Sequence, residues 1–126
     1  MDGKRKIVIL EDNEAFAALL EECLSEFYEV AVGHTGRQGL SICLEGGVDA
    51  IVTDIGMPEL TGVQMLTEFK KHPSLRSIQV LVVTASHFTH YSREELKRYP
   101  QVRGLFCKTV SMEVILDAIK NVLPPA

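Results

Sequence analysis

The sequence predicts an α/β fold with three layers: a doubly wound, five-stranded parallel sheet between two sets of helices. Two observations carry this. Short apolar runs of four to seven residues recur along the chain, each too continuous for a one-sided sheet. Between them lie stretches with apolar residues at 3.6-residue spacing, most opened by a capping residue. Five alternations of strand and helix in 126 residues leave room for one domain with its own core.

"KIVIL" (6–10) reads as the first buried strand, ending at Glu11-Asp12-Asn13. Asp12 or Asn13 should cap the helix that follows, with Phe16, Leu19, Leu20, Cys23, Leu24 and Phe27 inward. "EVAVG" (29–33) is the second strand. Thr35-x-x-Gln38 forms a capping box for a helix with Leu40, Cys43 and Leu44 inward, closed near Gly46-Gly47. "DAIVTD" (49–54) is the third strand. Thr61-x-x-Gln64 opens the third helix, with Val63, Leu66 and Phe69 inward and a stop before Pro73. "QVLVVTA" (79–85) is the fourth strand, and Ser92-x-x-Glu95 opens a short helix ended by Pro100. "GLFCK" (104–108) is the fifth strand. The last helix spans 111–123, with Val114, Ala118, Ile119 and Val122 on one face, and Pro124-Pro125 stop it.

The totals exclude several functions. A formal charge of −4 argues against direct nucleic-acid binding. No window is long and apolar enough to span a membrane, and the apolar run in "MDGKRKIVIL" is too short for a signal peptide. Cys23, Cys43 and Cys107 show no CxxC spacing, so a cytoplasmic location with reduced thiols is expected.

Polar residues at the carboxyl ends of the strands locate the chemistry, because open parallel sheets bind ligands there. Strand one offers Glu11 and Asp12, strand three Asp54, strand four Thr84 and strand five Lys108. Strand two ends on Gly33 and His34 and is the exception. If the strand order is 2-1-3-4-5, strands one and three are neighbours and three carboxylates crowd one end of the sheet. Protonation or a cation must relieve their repulsion. Hard oxygen ligands in this number suit Mg²⁺. A metal, an ammonium and a hydroxyl around one carboxylate suit a phosphoryl group carried on it. A nucleotide or flavin phosphate fits poorly, since the loop after strand one is acidic and has no glycine cradle.

These residues resemble the receiver domain of two-component response regulators, over about Lys6 to Leu123. The signature is "DIGMPELTG" from Asp54 to Gly62, with Glu11-Asp12, Thr84-Ala85 and Lys108 in order. The resemblance implies a flavodoxin-like fold with order 2-1-3-4-5. One domain is expected over 1–126, its core about 5–123, with 124–126 a tail or the start of a linker. It implies that Asp54 is the phosphoacceptor, receiving its phosphoryl group from a sensor histidine kinase or phosphotransfer protein. Asp12 would bind Mg²⁺ directly, Glu11 largely through water, and the Gly56 carbonyl would be a further ligand. Thr84 and Lys108 would contact the phosphoryl oxygens. Phosphorylation would then bias a face built from the fourth helix, fifth strand and fifth helix. That face would signal to a downstream protein or a fused output domain, and it leaves homodimerisation open. Self-catalysed phosphorylation and slow hydrolysis are the only expected activities, with small residues at Gly56 and Ser86 leaving water access open.

Two positions depart from the family pattern. Thr109 replaces the usual proline after the lysine, and Leu105 stands where an aromatic switch residue is usual. Phe106 should point to the opposite face, leaving Phe88 or Tyr91 as substitutes. Three rivals stand beside this reading. An aspartyl phosphohydrolase would need D-x-D where Asp12-x-Glu14 stands; a flavodoxin-like binder would be coloured; a receiver fold could dock partners without phosphorylation. His87 and His90 read as surface loop rather than metal ligands, His34 and His72 as surface residues, and Arg93, Lys97, Arg98 and Arg103 as a solvated face.

Overall fold

The computed structural model describes residues 4–54, 62–84, 96 and 98–125. Five parallel strands form one sheet in the order β2-β1-β3-β4-β5. They are β1 (Lys6–Leu10), β2 (Glu29–Gly33), β3 (Ala50–Thr53), β4 (Gln79–Thr84) and β5 (Val102–Cys107). Four helices are described: α1 (Glu14–Leu24), α2 (Gly36–Leu44), α3 (Gly62–Lys71) and α4 (Met112–Val122), with a 3₁₀ turn at Pro73–Leu75. The helix expected from Ser92 falls largely outside the described residues.

Both sheet faces are covered, which explains the unbroken apolar strands. Val8, Leu10, Ile51, Val80 and Val82 join Met65, Leu66 and Phe69 of α3 in one core. Ile7, Ile9, Ala50, Val52, Leu81 and Val83 face α1 and α4 in the other. Strand β5 begins two residues before the expected start, because Arg103 is an extra residue between the Val80–Val102 and Leu81–Gly104 pairs. Leu105 and Phe106 point to opposite cores, as the period of two requires.

Caps set the helix starts. Asn13 Oδ1 accepts from the Phe16 N–H at 2.9 Å, so Asn13 rather than Asp12 caps α1. Thr35 Oγ1 accepts from the Gln38 N–H at 3.1 Å, but the Gln38 side chain accepts from His34 instead of closing the box on Thr35. Gly46 and Gly47 end that segment at φ +97° and +79°, where a side chain is strained. The box expected at Thr61 lies outside the described residues.

Three expected core leucines and valines are exposed: Leu19, Leu44 and Val114, at 47%, 48% and 47%. The cause is common to all three. Each helix buries a narrow arc, centred on Leu20 in α1, Cys43 in α2 and Ile115–Ile119 in α4. Each exposed residue is the immediate neighbour of a buried one and so lies about 100° round the helix. Ala17 and Ile115, absent from the expected inward sets, are buried in their place.

The last helix is tied down by Tyr28, whose hydroxyl donates to the Leu123 carbonyl at 2.5 Å. Tyr28→Phe should cost about 1–2 kcal/mol in urea unfolding, because that carbonyl stays buried without its donor. Burial pushes the Tyr28 phenol up, against a smaller opposing pull from Arg5. Its contribution is therefore complete below pH 10 and lost as pH rises through the folded value. The phenylalanine variant should lack that alkaline loss.

The thiols also differ by place. Burial pushes Cys43 up to about 12. The Thr109 hydroxyl and backbone N–H, helped by the Lys108 N–H, lower Cys107 although burial opposes them. In the native protein at neutral pH, iodoacetamide should label Cys107 well before Cys43, which should react only on unfolding. Peptide mass mapping over time checks the order.

Candidate functional site

Strand register brings the chemistry together. Leu10 pairs with both Gly33 and Thr53, and Thr84 pairs with Cys107. The ladder runs one residue further at each of three places. Glu11 N–H donates to the Gly33 carbonyl, Asp54 N–H to Leu10 and Lys108 N–H to Thr84, at 3.0, 3.0 and 2.9 Å. Glu11, Asp54 and Lys108 are thus held by sheet hydrogen bonds, and their side chains meet over the sheet's carboxyl edge.

Lys108 Nζ lies 2.7 Å from Glu11 Oε1 and 3.1 Å from Asp54 Oδ2. Glu11 is 2% exposed and Asp54 8%. Glu11 Oε2 also accepts from the Asn13 N–H at 3.0 Å, which ties the start of α1 to the site. Asp12 is exposed, yet it offers a carboxylate oxygen within 4.8 Å of those of Glu11 and Asp54. Thr84 is buried at the end of β4. Gly56, Ser86, Phe88, Tyr91, His87 and His90 lie outside the described residues.

One ammonium faces two buried carboxylates, and the imbalance shows on the acid side. Burial pushes the Glu11 carboxyl above its ordinary value, although Lys108 and the Asn13 N–H both pull it down. Burial also pulls Lys108 down, but its bond to Glu11 and the nearby Asp54 charge outweigh this and leave it raised. The cluster is short of positive charge. An all-oxygen donor set with that deficit fits a hard divalent cation such as Mg²⁺.

Three contacts escaped the sequence reading. The Phe16 ring stands 4.8 Å from Lys108 Nζ, a cation–π contact from the first turn of α1. The Thr53 hydroxyl donates to the Asp54 carbonyl at 2.8 Å. His34, exposed as expected, donates from Nδ1 to the Glu11 carbonyl at 3.0 Å, so strand two does reach the site's edge. Helical spacing explains Phe16 only after the strand end is fixed in space; the other two are backbone contacts with no sequence pattern.

Acids that follow β1 and β3 and a lysine that follows β5 thus form one cluster at the carboxyl edge of a doubly wound sheet. The chain belongs to the response regulator receiver domain family, whose model matches residues 7–120. It is 29% identical over 123 residues to the polar-differentiation response regulator DivK of Brucella ovis, covering 97% of this chain and 98% of that one. A receiver domain protein from Clostridium thermocellum superposes with a TM-score of 0.80 at 24% identity, covering 94% and 93% of the two chains. TrrA of Thermotoga maritima, solved with Mg²⁺ and BeF, superposes with a TM-score of 0.79 at 24% identity, covering 94% and 99%. Receiver domains are signalling switches of two-component systems. Among the described residues no helix is long and apolar enough to cross a membrane.

Proposed function

We propose that residues 1–126 form a single phosphoacceptor receiver in which Asp54 takes a phosphoryl group from a histidine kinase or phosphotransfer protein. The observation that carries this is the Lys108 ammonium bridging Glu11 and Asp54 beside Asp12. Asp54 directly follows β3, its N–H bonded to the Leu10 carbonyl, and it keeps 8% exposure at the carboxyl edge of the sheet. Its carboxylate oxygen attacks phosphorus; the new O–P bond forms as the donor's N–P bond breaks, and the donor imidazole keeps the electron pair. Lys108 then neutralises charge on the phosphoryl oxygens, released from part of its bond to Asp54. The Thr84 hydroxyl donates to the same oxygens. Mg²⁺, held by Glu11, Asp12, Asp54 and the Gly56 carbonyl, would supply further charge neutralisation. TrrA, solved with Mg²⁺ and BeF, supports the choice of metal.

The change at Asp54 passes to a downstream protein or a fused output domain through the face that includes β5 and α4. Leu105 on β5 packs into the α3-side core rather than standing free, so transmission here does not use an aromatic at that place. Incubation with acetyl phosphate followed by intact-mass measurement tests the reading. One added phosphoryl group with Mg²⁺ and none with EDTA is expected. No adduct in either, where a known receiver labels, favours a docking module that works without phosphorylation.

A further inference from the structure

Charge is segregated along the chain. Residues 62–107 hold seven Lys and Arg against three Glu, while the remainder holds six against fourteen Asp and Glu. Two of these basic residues, Lys70 and Arg76, line a slot at the amino-terminal end of β4 and β5, the opposite end of the sheet from Asp54. The slot has a volume of about 180 Å³, a mostly apolar wall, and is lined by Lys70, Arg76, Tyr99, Pro100 and Gln101.

Its walls are fixed. Arg76 Nη2 donates to the Lys70 carbonyl at 2.8 Å. Lys70 Nζ stands 4.6 Å over the Tyr99 ring, and the Tyr99 hydroxyl lies 3.3 Å from Thr67 Oγ1. Gln101 Nε2 donates to both Leu75 and Ile78 carbonyls, at 2.8 and 2.9 Å. Among the described residues neither Lys70 nor Arg76 is ion-paired; Glu68 is held by Lys71 at 3.0 Å. Closing the end of α3 accounts for one N–H of Arg76. The rest of that guanidinium and the Lys70 ammonium, which lies over one face of the Tyr99 ring, are exposed beside an apolar hole.

We propose that this slot docks an acidic protein segment carrying one bulky apolar side chain. That side chain enters between Tyr99 and Pro100, and flanking carboxylates meet Lys70 and Arg76. Tyrosine and arginine at the rim of a fixed pocket are the composition of a binding hot spot. A nucleic-acid backbone has no apolar anchor for the hole, and the chain's net charge of −4 opposes it. A free inorganic anion would leave the apolar wall unused. The slot lies away from the phosphorylation site, so docking does not require Asp54.

Panning a random peptide library against the full chain tests this, followed by fluorescence anisotropy on the selected peptides. Enriched peptides should combine acidic residues with a single large apolar one. Lys70→Glu should weaken them at least tenfold, about 1.4 kcal/mol, and raised salt should weaken them as well. This variant keeps the Arg76 bond, which is to backbone, so its unfolding midpoint should stay near that of the native chain. Arg76→Gln should weaken binding in the same direction, and Asp54→Asn should leave it unchanged. Lack of acidic enrichment, binding indifferent to Lys70→Glu, or displacement by duplex DNA or inorganic phosphate would overturn the proposal.

Discussion

Lys108→Met is expected to destabilise the metal-free protein by about 3 kcal/mol at pH 8, because it strands buried carboxylates without their cation. The native lysine reaches Glu11 at 2.7 Å and Asp54 at 3.1 Å, and Glu11 is 2% exposed. Removing the ammonium leaves the Glu11 carboxyl to be pushed further up by burial. A carboxyl raised in the folded state contributes stability that is complete below its unfolded value of 4.5 and lost as pH rises through the folded one. The deficit should therefore be smallest near pH 4 and largest in mild alkali. Urea unfolding of both proteins across that range measures it. Glu11→Gln should behave differently, since it removes the surplus charge and leaves Lys108 paired with Asp54. Metal-free Glu11→Gln should unfold close to the native midpoint.

Asp12→Asn is expected to weaken Mg²⁺ binding by tenfold or more while leaving metal-free stability within about 0.5 kcal/mol. Asp12 is exposed and makes no packing contribution to the core, yet it offers a carboxylate oxygen within 4.8 Å of those of Glu11 and Asp54, which is why the proposed metal site includes it. Binding to the folded state alone raises stability in proportion to the logarithm of metal concentration. The native protein should thus gain stability with added Mg²⁺ and the variant should gain only at higher concentrations. Calorimetric titration gives the affinities directly. Equal Mg²⁺ affinities in the two proteins would remove Asp12 from the metal site.

Much of this molecule was legible because a parallel sheet writes itself into sequence. A strand buried on both faces is a run of apolar residues, so "KIVIL" gave β1 with its observed bounds, and the shorter apolar run of "EVAVG" gave those of the partly buried edge strand β2. Where such a run meets a charge, the strand ends, and the parallel order brings those ends to one edge. Glu11, Asp54 and Lys108 could be placed together on that ground. Helix faces were less legible. Leucine at positions 19 and 44 fits a 3.6-residue pattern as well as the smaller Ala17 and Gly39, which the close approach of helix to sheet selects instead. A Cβ at Gly39 would stand 2.5 Å from Leu10 Cδ2 and 2.9 Å from its Cγ, so α2 rests on β1 through the glycine. A division of labour between the two acids came only from the family resemblance, not from the residues themselves. Sequence spacing cannot say that Glu11 turns inward to Lys108 while Asp12 stays in solvent, because one residue of rotation at a strand end decides it.

The measurement that tests the central claim most directly is borohydride trapping after acetyl phosphate treatment, read by tandem mass spectrometry. Borohydride reduces an aspartyl phosphate to homoserine and leaves a free carboxylate unchanged. The account predicts homoserine at residue 54 in the native protein with Mg²⁺, and no labelled residue in Asp54→Asn. Homoserine at another acid, or an unlabelled native protein beside a labelled control receiver, would contradict it.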